Sequence, residues 1–75
     1  MSILPSLTAR ALVNILIKAG FVVTRQKGSH LFLKNFLTGK VTSVPMHTGF
    51  VKKGTFVKII KQAGFTLKEF LKFYK

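Results

Sequence analysis

The six residues Arg25-Gln26-Lys27-Gly28-Ser29-His30 bring two positive charges, a flexible glycine, a hydroxyl and an imidazole into one short stretch. Apolar runs flank it, Phe21-Val22-Val23 before and Leu31-Phe32-Leu33 after. Gly28 can take positive φ without steric cost, so the chain can turn there and let backbone approach a ligand. Among unperturbed side chains only histidine changes charge near neutral pH, which makes His30 the first candidate for proton transfer. Cleaving an RNA phosphodiester needs a base for the 2′-hydroxyl proton, an acid for the departing 5′-oxygen, and cations for the equatorial oxygens. His30 can be either base or acid. Arg25 can hold the phosphate in a bidentate fork, Lys27 can add a point charge, and backbone amides around Gly28 and Ser29 supply neutral donors. The alternative for His30 is a surface strand histidine with no chemistry.

Other residues could join this site. His47 follows Pro45 and can supply the second proton-transfer group, or it positions its own turn. Ser29 reads as a turn former, because no acid–histidine pair stands ready to activate it. Lys52, Lys53, Lys58 and Lys61 are either a solvated face or a patch that tracks phosphates. With almost no acids to balance them, the patch is the better account. Phe36 and Phe50 are expected in loops, where they either stack on bases or cap the core edge. Two histidines and one acid make no convincing metal site, so neither a metal nor another cofactor is expected.

Charge dominates the composition. Thirteen Lys and Arg face a single acid, Glu69, for a formal net charge of +12 over 75 residues. Such a chain repels copies of itself and seeks a polyanion or an acidic protein. At 48% apolar residues, eight of the 75 being Phe, it can still build one packed core and is not a disordered tail. One domain over residues 1–75 is expected. Cysteine is absent, so no disulfide framework exists. The first residues lack the charged and long apolar regions of a signal peptide, and no apolar run approaches the ~18 residues of a membrane span. A cytoplasmic protein is the default expectation.

The elements that must position these residues are legible in order. Ile3, Leu4 and Leu7 can pack on a first helix that Thr8 caps. That helix runs over residues 9–19, with Leu12, Ile15, Leu16 and Ala19 on one stripe and Gly20 as its stop. Strands are predicted over residues 21–26, 30–35 and 40–44, joined at Lys27-Gly28-Ser29 and closed by Thr38-Gly39. The run Leu31-Phe32-Leu33 is continuously apolar, so periodicity does not say which side faces the helices. Pro45 ends the third strand or marks it as an edge. Residues 46–50 read as loop, and Lys52-Lys53-Gly54 as a basic approach to a second helix over residues 55–63, with Phe56, Ile59, Ile60 and Ala63 inward. Thr66-Leu67-Lys68-Glu69 is a capping box opening a short last helix with Leu67, Phe70, Leu71 and Tyr74 on one side and Lys68, Lys72 and Lys75 on the other. The sole acid thereby has a structural role. Helix, three antiparallel strands and helices on one face make an α+β sandwich with the other sheet face open.

Gly20-Phe21, Arg25-Gln26-Lys27-Gly28-Ser29-His30, Val44-Pro45-Met46-His47, Lys53-Gly54-Thr55 and Ile60-Lys61-Gln62-Ala63-Gly64, in this order, resemble the HicA family of toxin mRNA interferases. The resemblance runs from about Thr8 to Leu71. It implies a fold like a double-stranded-RNA-binding domain, α-β-β-β-α, here with a short extra C-terminal helix. It also implies a metal-independent endoribonuclease acting on mRNA, with His30 as the catalytic histidine. The implied partner is a HicB-type antitoxin, acidic given this chain's charge; the toxin is then a monomer when free and part of a hetero-oligomer when bound. Leu31 stands where the family commonly has a second histidine or another polar residue, and the usual helix-surface acids are missing. Two other classes fit the composition less well. One is a non-catalytic module of the same fold that contacts double-stranded RNA. The other is a cationic peptide acting on anionic membranes, against which the three strands and two glycine-stopped helices argue.

Overall fold

The computed structural model describes residues 6–47 and 49–74. Its elements in order are α1 (Ala9–Lys18), β1 (Val22–Lys27), β2 (His30–Lys34), β3 (Val41–Pro45), α2 (Lys53–Gln62) and α3 (Leu67–Tyr74). The strands form one antiparallel sheet in the order β1-β2-β3. This is the α+β arrangement expected from the sequence.

Local chemistry sets the helix ends. The Ala11 N–H donates to the Thr8 hydroxyl at 3.2 Å, the expected N-cap of α1. α1 and α2 stop in the same way, at Ala19-Gly20-Phe21 and Ala63-Gly64-Phe65. In α1 the Gly20 N–H reaches the Ile17 carbonyl and the Phe21 N–H reaches back to Leu16, both at 3.0 Å. In α2 the Gly64 N–H reaches Lys61 at 3.0 Å and the Phe65 N–H reaches Ile60 at 3.1 Å. These paired bonds satisfy carbonyls that a helix end leaves free, and they need a left-handed residue at the glycine. Gly20 has φ +104°, and a Cβ there would stand 3.3 Å from the Asn35 side-chain amide, so any other residue would be strained. The two phenylalanines that follow the stops meet edge to face, with centroids 6.0 Å apart.

The core lies between the sheet and the helices. α1 and α2 pack on β3, and α3 packs on both helices. Leu12, Leu16, Leu33, Val44 and Phe70 are fully buried, with Phe21, Phe56, Ile59, Ile60 and Ala63 nearly so. The ambiguous apolar run in β2 resolves by pairing: Leu31 sits opposite Val44 and Leu33 opposite Thr42, on the helix side, which leaves Phe32 on the open side. All six residues of β1 are exposed. Asn35 is buried and holds the β2–β3 turn, its side-chain oxygen accepting from the Leu37 N–H at 2.9 Å and the Thr38 N–H at 3.3 Å.

Several boundaries shift for physical reasons. β1 begins at Val22, because the Phe21 N–H is already committed to the α1 terminus. β3 extends through Pro45, which pairs with His30 at the sheet edge, where no N–H is required of it. α2 starts at Lys53, so Lys53 and Gly54 form its first turn and are not a loop leading into it. Ala19 is half-buried, and Val13 is buried beside the predicted stripe of α1. The expectations for Ile3, Leu4, Thr48, Lys75 and the Tyr74 side chain lie outside the described residues.

The capping box of α3 forms as expected. The Thr66 N–H donates to the Glu69 carboxylate at 2.9 Å, and the Glu69 N–H donates to the Thr66 hydroxyl at 3.1 Å. Hydrogen bonding by the Thr66 backbone N–H first, and by its side chain second, holds the Glu69 carboxyl below the usual carboxylate range. A carboxyl whose pKa is lowered on folding stabilises above its unfolded-state pKa, and the gain disappears as pH falls through the folded-state value. Glu69 is the only acidic side chain. Thermal melts at falling pH should therefore show a loss of stability in the acid range that Glu69→Gln removes. Thr66→Ala should cost about 0.5–2 kcal/mol. Equal acid-range slopes in the parent and in Glu69→Gln would exclude this role.

Candidate functional site

The register places side chains in rows across the open face of the sheet. One row is Lys27, His30 and Pro45; the next is Arg25, Phe32 and Ser43; the third is Val22, Lys34 and Val41. Cross-strand neighbours in a row have Cβ atoms about 4.5–5.5 Å apart, close enough for long side chains to act on one group. His30 thus has Lys27 at its side, with Arg25 one row away.

Two local features produce this arrangement. Gly28 and Ser29 make a two-residue hairpin turn with Lys27 opposite His30. Gly28 has φ +59° and no non-glycine residue among those described has positive φ, so glycine leads a II′-type turn. Upstream, the pairing slips between Val23 and Arg25, leaving Thr24 as an extra residue. The Thr24 hydroxyl donates to the Phe32 carbonyl at 3.3 Å. Strict alternation from Val22 would send Arg25 and Lys27 to the helix side. The bulge absorbs one residue and returns both to the open side, beside His30. There the Arg25 guanidinium sits over the Phe32 ring, 4.9 Å from its centroid.

The second part of the site lies between β3 and α2. A groove of about 640 Å³ is lined by His30, Ser43, Pro45 and His47 on one side and by Phe50, Lys52, Thr55 and Lys58 on the other. Its walls are tied at both ends. The buried Thr42 hydroxyl donates to the Ile59 carbonyl at 3.2 Å and lies 3.3 Å from the Gln62 side-chain oxygen, which joins β3 to α2. The Val51 N–H donates to Leu7 at 2.8 Å, and Phe50 bridges Thr8, which fixes the loop before α2. The Met46 N–H donates to Ser29 at 2.6 Å, carrying the β2–β3 pairing up to the turn. α2 opens at Lys52 with no side-chain cap and no acid in its first turn, so its amide end adds to the positive field.

His30, His47, Lys52 and Lys58 therefore share one groove, and Arg25 and Lys27 adjoin it on the sheet, with Gly28 and Ser29 forming the turn between these two cations and His30. Lys53 is the first residue of α2 and is absent from the groove wall. Lys61 faces a separate apolar hollow of about 350 Å³ with Val57, Ile60, Phe65 and Leu67. Of the four lysines, Lys52 and Lys58 line the groove, and Lys53 and Lys61 are exposed outside it. Phe36 and Phe50 are 66% and 69% exposed, so neither caps the core. Phe36 lies under Lys34, the ammonium 5.2 Å from the ring centroid, while Phe50 forms part of the groove. Phe32, Ser43 and Thr55 belong to this surface without having been foreseen. Only the pairing register reveals the first two, and the earlier start of α2 the third. Among the described residues no three His, Cys, Asp or Glu side chains cluster, and no helix is long and apolar enough to cross a membrane.

Residues 9–65 match the family described as HicA toxin of bacterial toxin-antitoxin. The match spans α1, the whole sheet and α2, and ends before α3. Among curated proteins none is similar enough in sequence to stand as a relative.

Proposed function

Because the chain belongs to the HicA family of toxins from bacterial toxin–antitoxin systems, we propose that it is an endoribonuclease that cuts mRNA in the cytoplasm by acid–base chemistry at His30. The observation that carries this reading is the meeting of His30 with His47 in one groove, flanked by Arg25 and Lys27 on the sheet and by Lys52 and Lys58 on α2. The cations hold the substrate phosphate, with Arg25 in a bidentate fork and Lys52 and Lys58 engaging neighbouring phosphates. One imidazole takes the proton of the 2′-hydroxyl as its oxygen attacks phosphorus. The other gives a proton to the 5′-oxygen as the P–O5′ bond breaks. The products are a 2′,3′-cyclic phosphate and a 5′-hydroxyl, and no metal ion enters the step.

Toxin–antitoxin membership implies an antitoxin partner. With a net charge of +12, the surface that complements this chain is acidic. Such a partner covers the Arg25, Lys27 and His30 face and competes with RNA, associating fast at low salt and more slowly as salt rises.

The chemistry is tested with purified protein and a defined single-stranded RNA in EDTA. Cutting should persist, and a single 2′-deoxy substitution at the cut position should abolish it. Cleavage that survives the deoxy substitution, or that EDTA stops, would remove the 2′-hydroxyl, metal-independent mechanism.

A further inference from the structure

The open face of the sheet has one aromatic side chain at the centre of its cations. Phe32 stands in the middle strand, between Arg25 and Ser43 within its row, with Lys27 and His30 in the row on one side and Lys34 in the row on the other. Its neighbours Leu31 and Leu33 turn inward, so Phe32 adds nothing to the core between sheet and helices. The ring is only partly buried, with the Arg25 guanidinium 4.9 Å from its centroid.

We propose that Phe32 and the Arg25 guanidinium form a stacking platform for one unpaired RNA base, one step along the strand from the phosphate at His30. The proposal rests on the RNA reading above. Three observations select this occupant. The face carries Arg25, Lys27, His30 and Lys34, while the only acid of the chain lies on α3 within a capping box, so the occupant is anionic. The platform consists of two flat π surfaces, which match the face of a base, and stacking of this kind tolerates any base because every base has a π face. A duplex buries those faces in its own stack and offers phosphates, sugars and edges, so the base has to be unpaired. Position then fixes the role: residues two apart on a strand are separated by about 6.6–6.8 Å, which puts the platform beside the reacting phosphate and clear of it.

The test uses the full chain and an uncleavable 2′-O-methyl oligonucleotide, in versions with one abasic nucleotide walked along its length. One abasic position should weaken binding by about 5- to 150-fold, the equivalent of one lost base–aromatic stack. Phe32→Leu should bind the intact oligonucleotide that much more weakly and should no longer respond to the abasic position. Phe32→Tyr should behave like the parent, and the affinity for a blunt duplex should be the same in all three. Circular dichroism and melting check that Phe32→Leu is folded; the abasic walk on the parent stands without any variant. A uniform response to the walk overturns the platform. So does parental affinity in Phe32→Leu while Lys27→Ala weakens binding; the RNA reading then survives, with the face holding phosphates and Phe32 stacking no base. Failure of every oligonucleotide to bind would remove both.

Discussion

His30→Ala is expected to slow RNA cleavage by about 10²–10⁴-fold, the usual contribution of a positioned proton-transfer group. The fold should not change, because His30 is exposed on the open face and packs against no core residue. RNA affinity should fall little, since Arg25, Lys27, Lys52 and Lys58 remain to hold phosphates. The loss therefore belongs to the rate of the bound complex, and single-turnover measurement at saturating protein isolates it. His47→Ala should show a loss of the same kind, and the double variant should lose less than the product of the two, because groups acting in one step are not additive. Cutting by His30→Ala at the parental rate would end the assignment.

Phe56→Ala should have the largest effect on stability. Phe56 is 2% exposed and meets Phe70 edge to face, with centroids 5.4 Å apart, where α2 joins α3. Truncating a buried phenylalanine costs about 3–5 kcal/mol in transfer and cavity terms together. At roughly 0.05–0.15 kcal/mol per residue, a domain of this length has only about 4–11 kcal/mol to lose. Urea titration should show the midpoint falling by about a quarter or more, and a parent at the low end of that range would leave the variant partly unfolded in water. The two variants separate function from fold: His30→Ala melts like the parent and cuts far more slowly, whereas Phe56→Ala melts earlier and loses cutting only to the extent that it unfolds. A shift below about 1 kcal/mol would show that the core closes over the gap.

The helices were legible because their signals are local. Thr8 caps, the Phe56, Ile59, Ile60 and Ala63 stripe is buried in full, and both Ala-Gly-Phe stops lie where the periodicity ends. The place of His30 beside the Gly28-Ser29 turn was legible for the same reason, since a histidine next to a glycine turn is a local feature too. The faces of the sheet were not legible. Leu31-Phe32-Leu33 is apolar throughout, and only pairing with Val44 and Thr42 shows that the middle residue faces outward. The groove depends on how β3 and α2 lie against each other, fixed by the buried Thr42 hydroxyl at the Ile59 carbonyl. Grouping lysines by sequence likewise joined Lys61 to Lys58, although only Lys58 lines the groove and Lys61 borders the apolar hollow.

The bulge at Thr24 means that the two halves of β1 are counted from different origins. Val22 and Val23 take their places from the end of α1, whereas Arg25, Gln26 and Lys27 take theirs from the hairpin turn. Thr24 is slack between the two. Removing it would leave Val23 next to Arg25 in regular alternation, with both cations still beside His30. Adding a residue between Arg25 and the turn has the opposite outcome, because a shift of one exchanges the faces and carries Arg25 to the side away from His30. The hairpin thus tolerates a change of length on one side of its irregularity and is intolerant on the other, and chain length alone can move the Arg25 charge from one face of the sheet to the other without any substitution.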